Sequence, residues 1–164
     1  MKYEQARPMI RSGDILAWSH RGVRSWHDLK IWLVRMFTRS EYSHVGTAWV
    51  IGDRVFVIEA VMPLVRIYPL SKLGPFYWLQ MGAYWRNATE TLALAHIGDE
   101  YSQIQAIVSP FVTPADDHRW ECAELVARIA RQDSIDLGDV YTPSEVVLAA
   151  QKRGAHLTYV EGGM

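Results

Sequence analysis

Cysteine, net charge and long apolar runs are all scarce in this sequence of 164 residues. The one cysteine, Cys122, excludes an internal disulfide and the CxxC pairs of structural zinc sites. A net charge of −1 offers no electrostatic reason to expect nucleic acid as a partner. No apolar stretch approaches the roughly 20 residues of a membrane-spanning helix. Zinc-protease, P-loop and dinucleotide motifs are also missing, so we expect no metal and no cofactor.

Length and composition indicate one α+β domain over residues 1–164. The chain is 49% hydrophobic and 21% charged, which is ordinary for a globular protein with a sizeable core. The first 14 residues carry five charged side chains and no apolar run, unlike a signal peptide. We therefore expect a cytoplasmic protein, with a phage or virion protein made in a cytosol as the alternative. The sequence carries no signature of an oligomeric state.

Alternating apolar residues and turn signals predict a central sheet. The clearest hairpin joins strands over 43–51 and 54–61 through Gly52-Asp53. Other strands are expected over 13–19, 64–70, 76–84 and 156–160, and the segment 104–111 is ambiguous. Helices are predicted after a capping box at Asn87, around Cys122, and after Thr142-Pro143-Ser144-Glu145.

The hairpin brings a histidine and a glutamate together. With a two-residue turn, Ile51 faces Arg54, so His44 and Glu59 share a face as diagonal neighbours. A three-residue turn would place them on opposite faces. Glu59 also lies on the covered face of its strand, where a carboxylate needs a partner. A histidine held by a carboxylate through one ring nitrogen can act as a general base through the other, although a structural ion pair is the alternative.

The reactivity of Cys122 depends on where its helix begins, because a helix N-terminus favours the thiolate. A start at Thr113-Pro114 or at Asp117 places the cysteine deeper in the helix. A start at Trp120-Glu121 places it in the first turn, which suits catalysis best. The alternative is a buried core residue, since free cysteine is among the most buried residue types. His118 is a competing base because it is near in sequence.

A basic amphipathic helix is predicted over residues 26–39, with Ser25 as its N-cap. It contains Trp26 and Trp32, and its polar face is basic. We favour a helix that packs on the core with a solvated basic face. A helix that binds a membrane surface is the alternative.

Five short motifs occur in a fixed order along the chain. They are Gly13-Asp14-Ile15-Leu16, Tyr42-Ser43-His44-Val45-Gly46, Val57-Ile58-Glu59-Ala60, Cys122-Ala123-Glu124-Leu125-Val126 and Thr142-Pro143. In this order they resemble the circularly permuted branch of the NlpC-type papain-like superfamily, in which the histidine strand precedes the cysteine helix. The resemblance covers roughly residues 12–150. Ala123 stands where close relatives usually have Ser, and Glu121 departs from the longer Asn-Cys-Glu-His motif of lecithin–retinol acyltransferase relatives.

The resemblance implies a papain-like fold, in which a central antiparallel sheet packs against the cysteine helix. It implies Cys122 as nucleophile, His44 as base and Glu59 as the residue that orients His44. The leading hypothesis is a thiol amidase or endopeptidase that acts through a thioester on a small-molecule, peptide or peptidoglycan amide such as a stem peptide. The alternatives are a lipid-directed acyltransferase or thioesterase, and a non-catalytic binding module.

Overall fold

An eight-stranded sheet is the centre of the fold in a computed structural model, which describes residues 1–19, 41–82, 85–101 and 119–162. The strand order is β7-β6-β4-β3-β2-β1-β5-β8, and all neighbours are antiparallel except the parallel edge pair β6–β7. The strands are β1 Ile15–Trp18, β2 His44–Ile51, β3 Arg54–Val61, β4 Leu64–Pro69, β5 Phe76–Gln80, β6 Glu100–Tyr101, β7 Arg119–Trp120 and β8 His156–Val160.

Four α-helices accompany the sheet in the described part of the chain, besides one short 3-10 helix at Leu70–Lys72. They are α1 Tyr3–Ala6, α2 Asn87–Ala95, α3 Cys122–Gln132 and α4 Pro143–Lys152. Together with the sheet they confirm the predicted α+β class. No helix among the described residues is long and apolar enough to cross a membrane.

The sheet is covered on both faces, as the alternation of strand residues requires. Ile15 and Ala17 belong to a cluster with residues of α3 and α4, such as Val126 and Val147. Leu16, between them, belongs to a second cluster with Tyr3 of α1, Phe76 and Trp78. Helix α3 also packs on strands β3 and β4, where Leu125 and Ile129 meet Ile58, Ala60 and Val65.

The predicted register of the central hairpin is confirmed. Ile51 pairs with Arg54 and Thr47 with Ile58, as expected for the two-residue turn Gly52-Asp53. His44 and Glu59 therefore lie on the same face of the sheet. The next hairpin places Arg66 of β4 directly opposite Glu59.

The prediction for the last helix is confirmed, but that for α2 is wrong at its start. Thr142 and Glu145 form the reciprocal capping box, with Pro143 as the first helical residue. In α2 the N-cap is Arg86, and Asn87 is already helical. The side chain of Glu90 accepts a hydrogen bond from Trp49 Nε1 at 2.7 Å, so tertiary contact takes the carboxylate that the capping box required.

Strand β5 ends at Gln80, four residues before the predicted end. The next residue, Met81, donates its backbone N–H to Asp14 Oδ1 at 3.0 Å, and Gly82 turns the chain with a φ of +62°. The predicted helix over 26–39, the ambiguous segment 104–111, His118 and the earlier helix starts near 113–117 lie outside the described residues.

Candidate active site

His44 and Cys122 are each the first residue of their secondary-structure element, and the fold brings these two positions together. His44 opens strand β2, and Cys122 is the first residue of helix α3, after Glu121 as N-cap. The side chain of Cys122 lies close enough to the imidazole of His44 to act on its pKa. Of the helix starts that the sequence left open, the structure has the latest one. The first N–H groups of α3 have no carbonyl acceptor within the helix, so the thiol sits at its positive end.

Glu59 holds the other side of the imidazole. His44 Nε2 lies 2.7 Å from Glu59 Oε2, so Nδ1 is the ring nitrogen that Glu59 does not occupy. The Glu59 side chain is 2% exposed and that of His44 is 19% exposed. The imidazole of His44 thus interacts with the carboxylate of Glu59 and with Cys122, and these three side chains form a row of interacting groups in the order Glu59, His44 and Cys122.

The two partners shift the pKa of His44 in one direction. Desolvation lowers this pKa, but the hydrogen bonds and charge interactions with Cys122 and Glu59 outweigh it and raise the pKa from 6.5 to about 9. At neutral pH the imidazole therefore favours the protonated form beside the thiol. A cation in that position stabilises a thiolate.

Glu59 shows the complementary shift. Burial acts to raise its pKa, but the hydrogen bonds and positive charges of His44 and Arg66 together lower it from 4.5. Arg66 Nε donates to Glu59 Oε1 at 2.9 Å, and Nη2 lies 2.8 Å from the same oxygen. Glu59 is therefore ionised at neutral pH, with one oxygen on His44 and the other on Arg66.

Aromatic side chains border this row. Trp18 pairs with His44 across strands β1 and β2, and their ring centroids are 5.4 Å apart. Tyr101 of β6 pairs with Trp120, two residues before Cys122. Burial raises the pKa of Tyr101, and the charges of Cys122 and Glu121 raise it further. Its hydroxyl stays protonated at neutral pH and can donate a hydrogen bond near the thiol.

Sequence reasoning named Cys122, His44 and Glu59 but missed Arg66, Trp18 and Tyr101. A signal for Arg66 was present, because a two-residue turn at Met62-Pro63 makes Arg66 face Glu59. Trp18 and Tyr101 depend on pairings between distant strands, which no local pattern specifies. Among the described residues, no three His, Cys, Asp or Glu side chains are placed to hold a metal ion.

Comparisons with known proteins show the fold alone. No protein-family model matches the chain, and no curated protein matches it. One similar solved structure is the metalloprotein YiiX from Escherichia coli O157:H7, of the family DUF1105. It is 22% identical, and the alignment covers 79% of this chain and 69% of that one with a TM-score of 0.57.

Proposed function

We propose that this protein is a thiol amidase or endopeptidase that uses Cys122, His44 and Glu59 through a thioester intermediate. The observation that carries the proposal is the position of His44, whose Nε2 lies 2.7 Å from Glu59 Oε2 and whose imidazole interacts with the side chain of Cys122 at the start of α3. Nucleophile, base and orienting carboxylate in that connection are the parts of an acyl-transfer site. The resemblance to the permuted NlpC-type papain-like branch supports the same roles and suggests peptidoglycan stem peptides as substrates.

The chemistry follows from the proton positions. The Cys122 thiolate attacks the amide carbonyl carbon, and the carbonyl oxygen becomes an oxyanion. Backbone N–H groups in the first turn of α3 are suited to stabilise that oxyanion. The imidazolium of His44 then gives its proton to the leaving amine as the C–N bond breaks, and the thioester forms.

Hydrolysis of the thioester reverses these roles. His44, now neutral, takes a proton from a water molecule that attacks the thioester carbonyl. The C–S bond breaks, the carboxylic acid leaves, and His44 again carries the proton beside the thiolate. Glu59 remains ionised throughout and keeps the imidazole in the productive orientation.

Two alternatives receive less support. A lipid-directed reaction relied on the basic helix over 26–39, which lies outside the described residues. A non-catalytic module accounts for the burial of Cys122, which is 8% exposed and belongs to a core cluster, but not for its interaction with the imidazole of His44. The metal of the structural neighbour is not carried over, since the described residues of this chain supply no three-ligand set.

The lone cysteine makes the test simple, because all thiol labelling reports on Cys122. We expect iodoacetamide to label it faster than a model thiol at pH 7, and His44→Ala to remove the excess rate. His156→Ala is the matched control, because His156 is exposed at the start of β8. A labelling rate equal to that of the model thiol and unchanged by His44→Ala would refute the proposal.

A direct test of activity uses the acyl-enzyme. Incubation with stem-peptide amides and rapid acid quenching should give a mass adduct on Cys122 that hydroxylamine removes. Cys122→Ser should give no hydroxylamine-labile thioester adduct. If no amide substrate gives an adduct and Cys122 is labelled no faster than a model thiol, the proposed amidase activity is refuted.

A further inference from the structure

Among the described residues, Arg66 is the charged side chain from outside the proposed triad that forms an ion pair with Glu59. Two of its nitrogens, Nε and Nη2, reach Glu59 Oε1 at 2.9 and 2.8 Å. Glu59 Oε2, the other oxygen, is bound to His44. The carboxylate is thereby held at both oxygens, by a cation on each side, and its plane cannot turn without breaking one of these contacts.

Strand pairing and ring stacking keep the guanidinium in place. Arg66 lies directly opposite Glu59 in the β3–β4 ladder. Its Cζ atom is 4.7 Å from the centre of the Tyr68 ring, two residues along the same strand. Guanidinium groups stack well on aromatic faces, which restricts the side chain even though it is 46% exposed.

We propose that Arg66 is a positioning residue that holds Glu59 against His44 and keeps the carboxylate ionised in its buried site. This inference rests on the proposed function, in which Glu59 orients the base. Arg66 does not reach the reacting atoms itself. It acts through Glu59, in the order Arg66, Glu59, His44 and Cys122.

The charges around Glu59 define what removal of Arg66 should do. Among the described residues, the charged groups that act on Glu59 are His44 from β2 and Arg66 from β4. His44 in turn faces Glu59 and Cys122. Without Arg66, desolvation of Glu59 is opposed by one cation instead of two. The pKa of Glu59 should then rise, and an adjacent arginine commonly lowers a carboxyl pKa by about 1 to 3 units.

The experiment measures the iodoacetamide labelling rate of the full chain from pH 4 to 9. In Arg66→Met the acid limb of the profile should move up by about one pH unit or more, because Glu59 protonates earlier and releases His44. Arg66→Lys should shift the acid limb less than Arg66→Met, since lysine keeps the positive charge but lacks the two-pronged guanidinium. Arg54→Met is the matched control, because Arg54 lies over Phe56 at 5.7 Å but has no carboxylate partner among the described residues.

A second readout separates this inference from the proposed function. The titration of Glu59, followed by carboxyl-carbon NMR in Cys122→Ser, should move upward in Arg66→Met whether or not the thiol is reactive. If labelling proves independent of His44, the proposed function fails while this titration still tests Arg66. Should Arg66→Met not fold, Arg66→Gln carries the same expectation, because its amide is neutral. An unchanged Glu59 titration, or an equal shift in Arg54→Met, would overturn the role of Arg66.

Discussion

The carboxylates of Asp14 and Glu59 are both buried, at 4% and 2% exposed, but their hydrogen-bond donors differ in charge. Asp14 accepts hydrogen bonds from three N–H groups, whereas Glu59 accepts two and has a further ion-pair contact with Arg66 Nη2. Asp14 receives neutral donors, namely the backbone of Arg11 and Met81 and the indole of Trp78. Glu59 receives an imidazole and an arginine.

The charge of the donors decides the direction of the pKa shift. Burial is the largest influence on both groups and raises the pKa of each. The neutral donors around Asp14, together with a weaker charge interaction with Arg11, do not overcome it, and its pKa stays above 3.8. The cations around Glu59 do overcome it, and the pKa of Glu59 falls below 4.5. Asp14 thus connects the start of β1 to the end of β5 through hydrogen bonds, whereas Glu59 is an ionised carboxylate beside the proposed base.

The largest expected difference between the two carboxylates concerns reactivity. Glu59→Gln should lower the labelling rate of Cys122 by roughly 100-fold or more, because a neutral amide no longer stabilises the imidazolium. Asp14→Asn should leave the labelling rate unchanged, since the Asp14 carboxylate is hydrogen-bonded to Arg11, Trp78 and Met81 and not to a residue of the triad. Iodoacetamide kinetics at pH 7, with circular dichroism to confirm folding, measure both. Equal losses of labelling rate in the two variants would contradict the proposed difference between the two carboxylates.

A smaller effect tests how closely β3 must approach the histidine strand. A Cβ atom at Gly46 would lie 2.5 Å from Val57 Cγ2 and 3.3 Å from Glu59 Cβ. Gly46→Ala should therefore cost about 1–3 kcal/mol and slow labelling by displacing Glu59. Gly74→Ala is the control, because a Cβ there meets nothing within 4 Å. Urea unfolding measures the loss of unfolding free energy. Equal losses in Gly46→Ala and Gly74→Ala would contradict a requirement for close approach at Gly46.

The smallest effect is a difference in slope with pH. The lowered pKa of folded Glu59 gives stability that is fully present above the unfolded value of 4.5 and is lost as the pH falls. The loss of unfolding free energy caused by Glu59→Gln should therefore grow as the pH rises from about 3 to 6. The raised pKa of Asp14 has the opposite sign, so Asp14→Asn should become less costly as the pH rises above 3.8. Each pKa unit corresponds to about 1.4 kcal/mol. Urea unfolding at several pH values would reveal the slopes, and slopes of one sign would contradict the assignment.

Prediction succeeded where the decisive contacts are close along the chain. The two-residue turn at Gly52-Asp53 sets the register of β2 and β3, and the capping box at Thr142 starts α4. It was wrong at Asn87, because the decisive partner of Glu90 is Trp49, 41 residues away. Local rules describe what a segment prefers, and a distant side chain that offers a better hydrogen bond overrides them.

The sequence by itself determined the lone thiol, the α+β class and the shared face of His44 and Glu59, because composition and strand parity are properties of neighbours along the chain. Only the tertiary structure decided that Cys122 opens α3 and meets His44, which precedes it by 78 residues in the sequence. The same holds for the donors that distinguish Glu59 from Asp14. Packing of a helix against a sheet brings such residues together, and the side-chain pattern of either element alone does not specify where the two will meet.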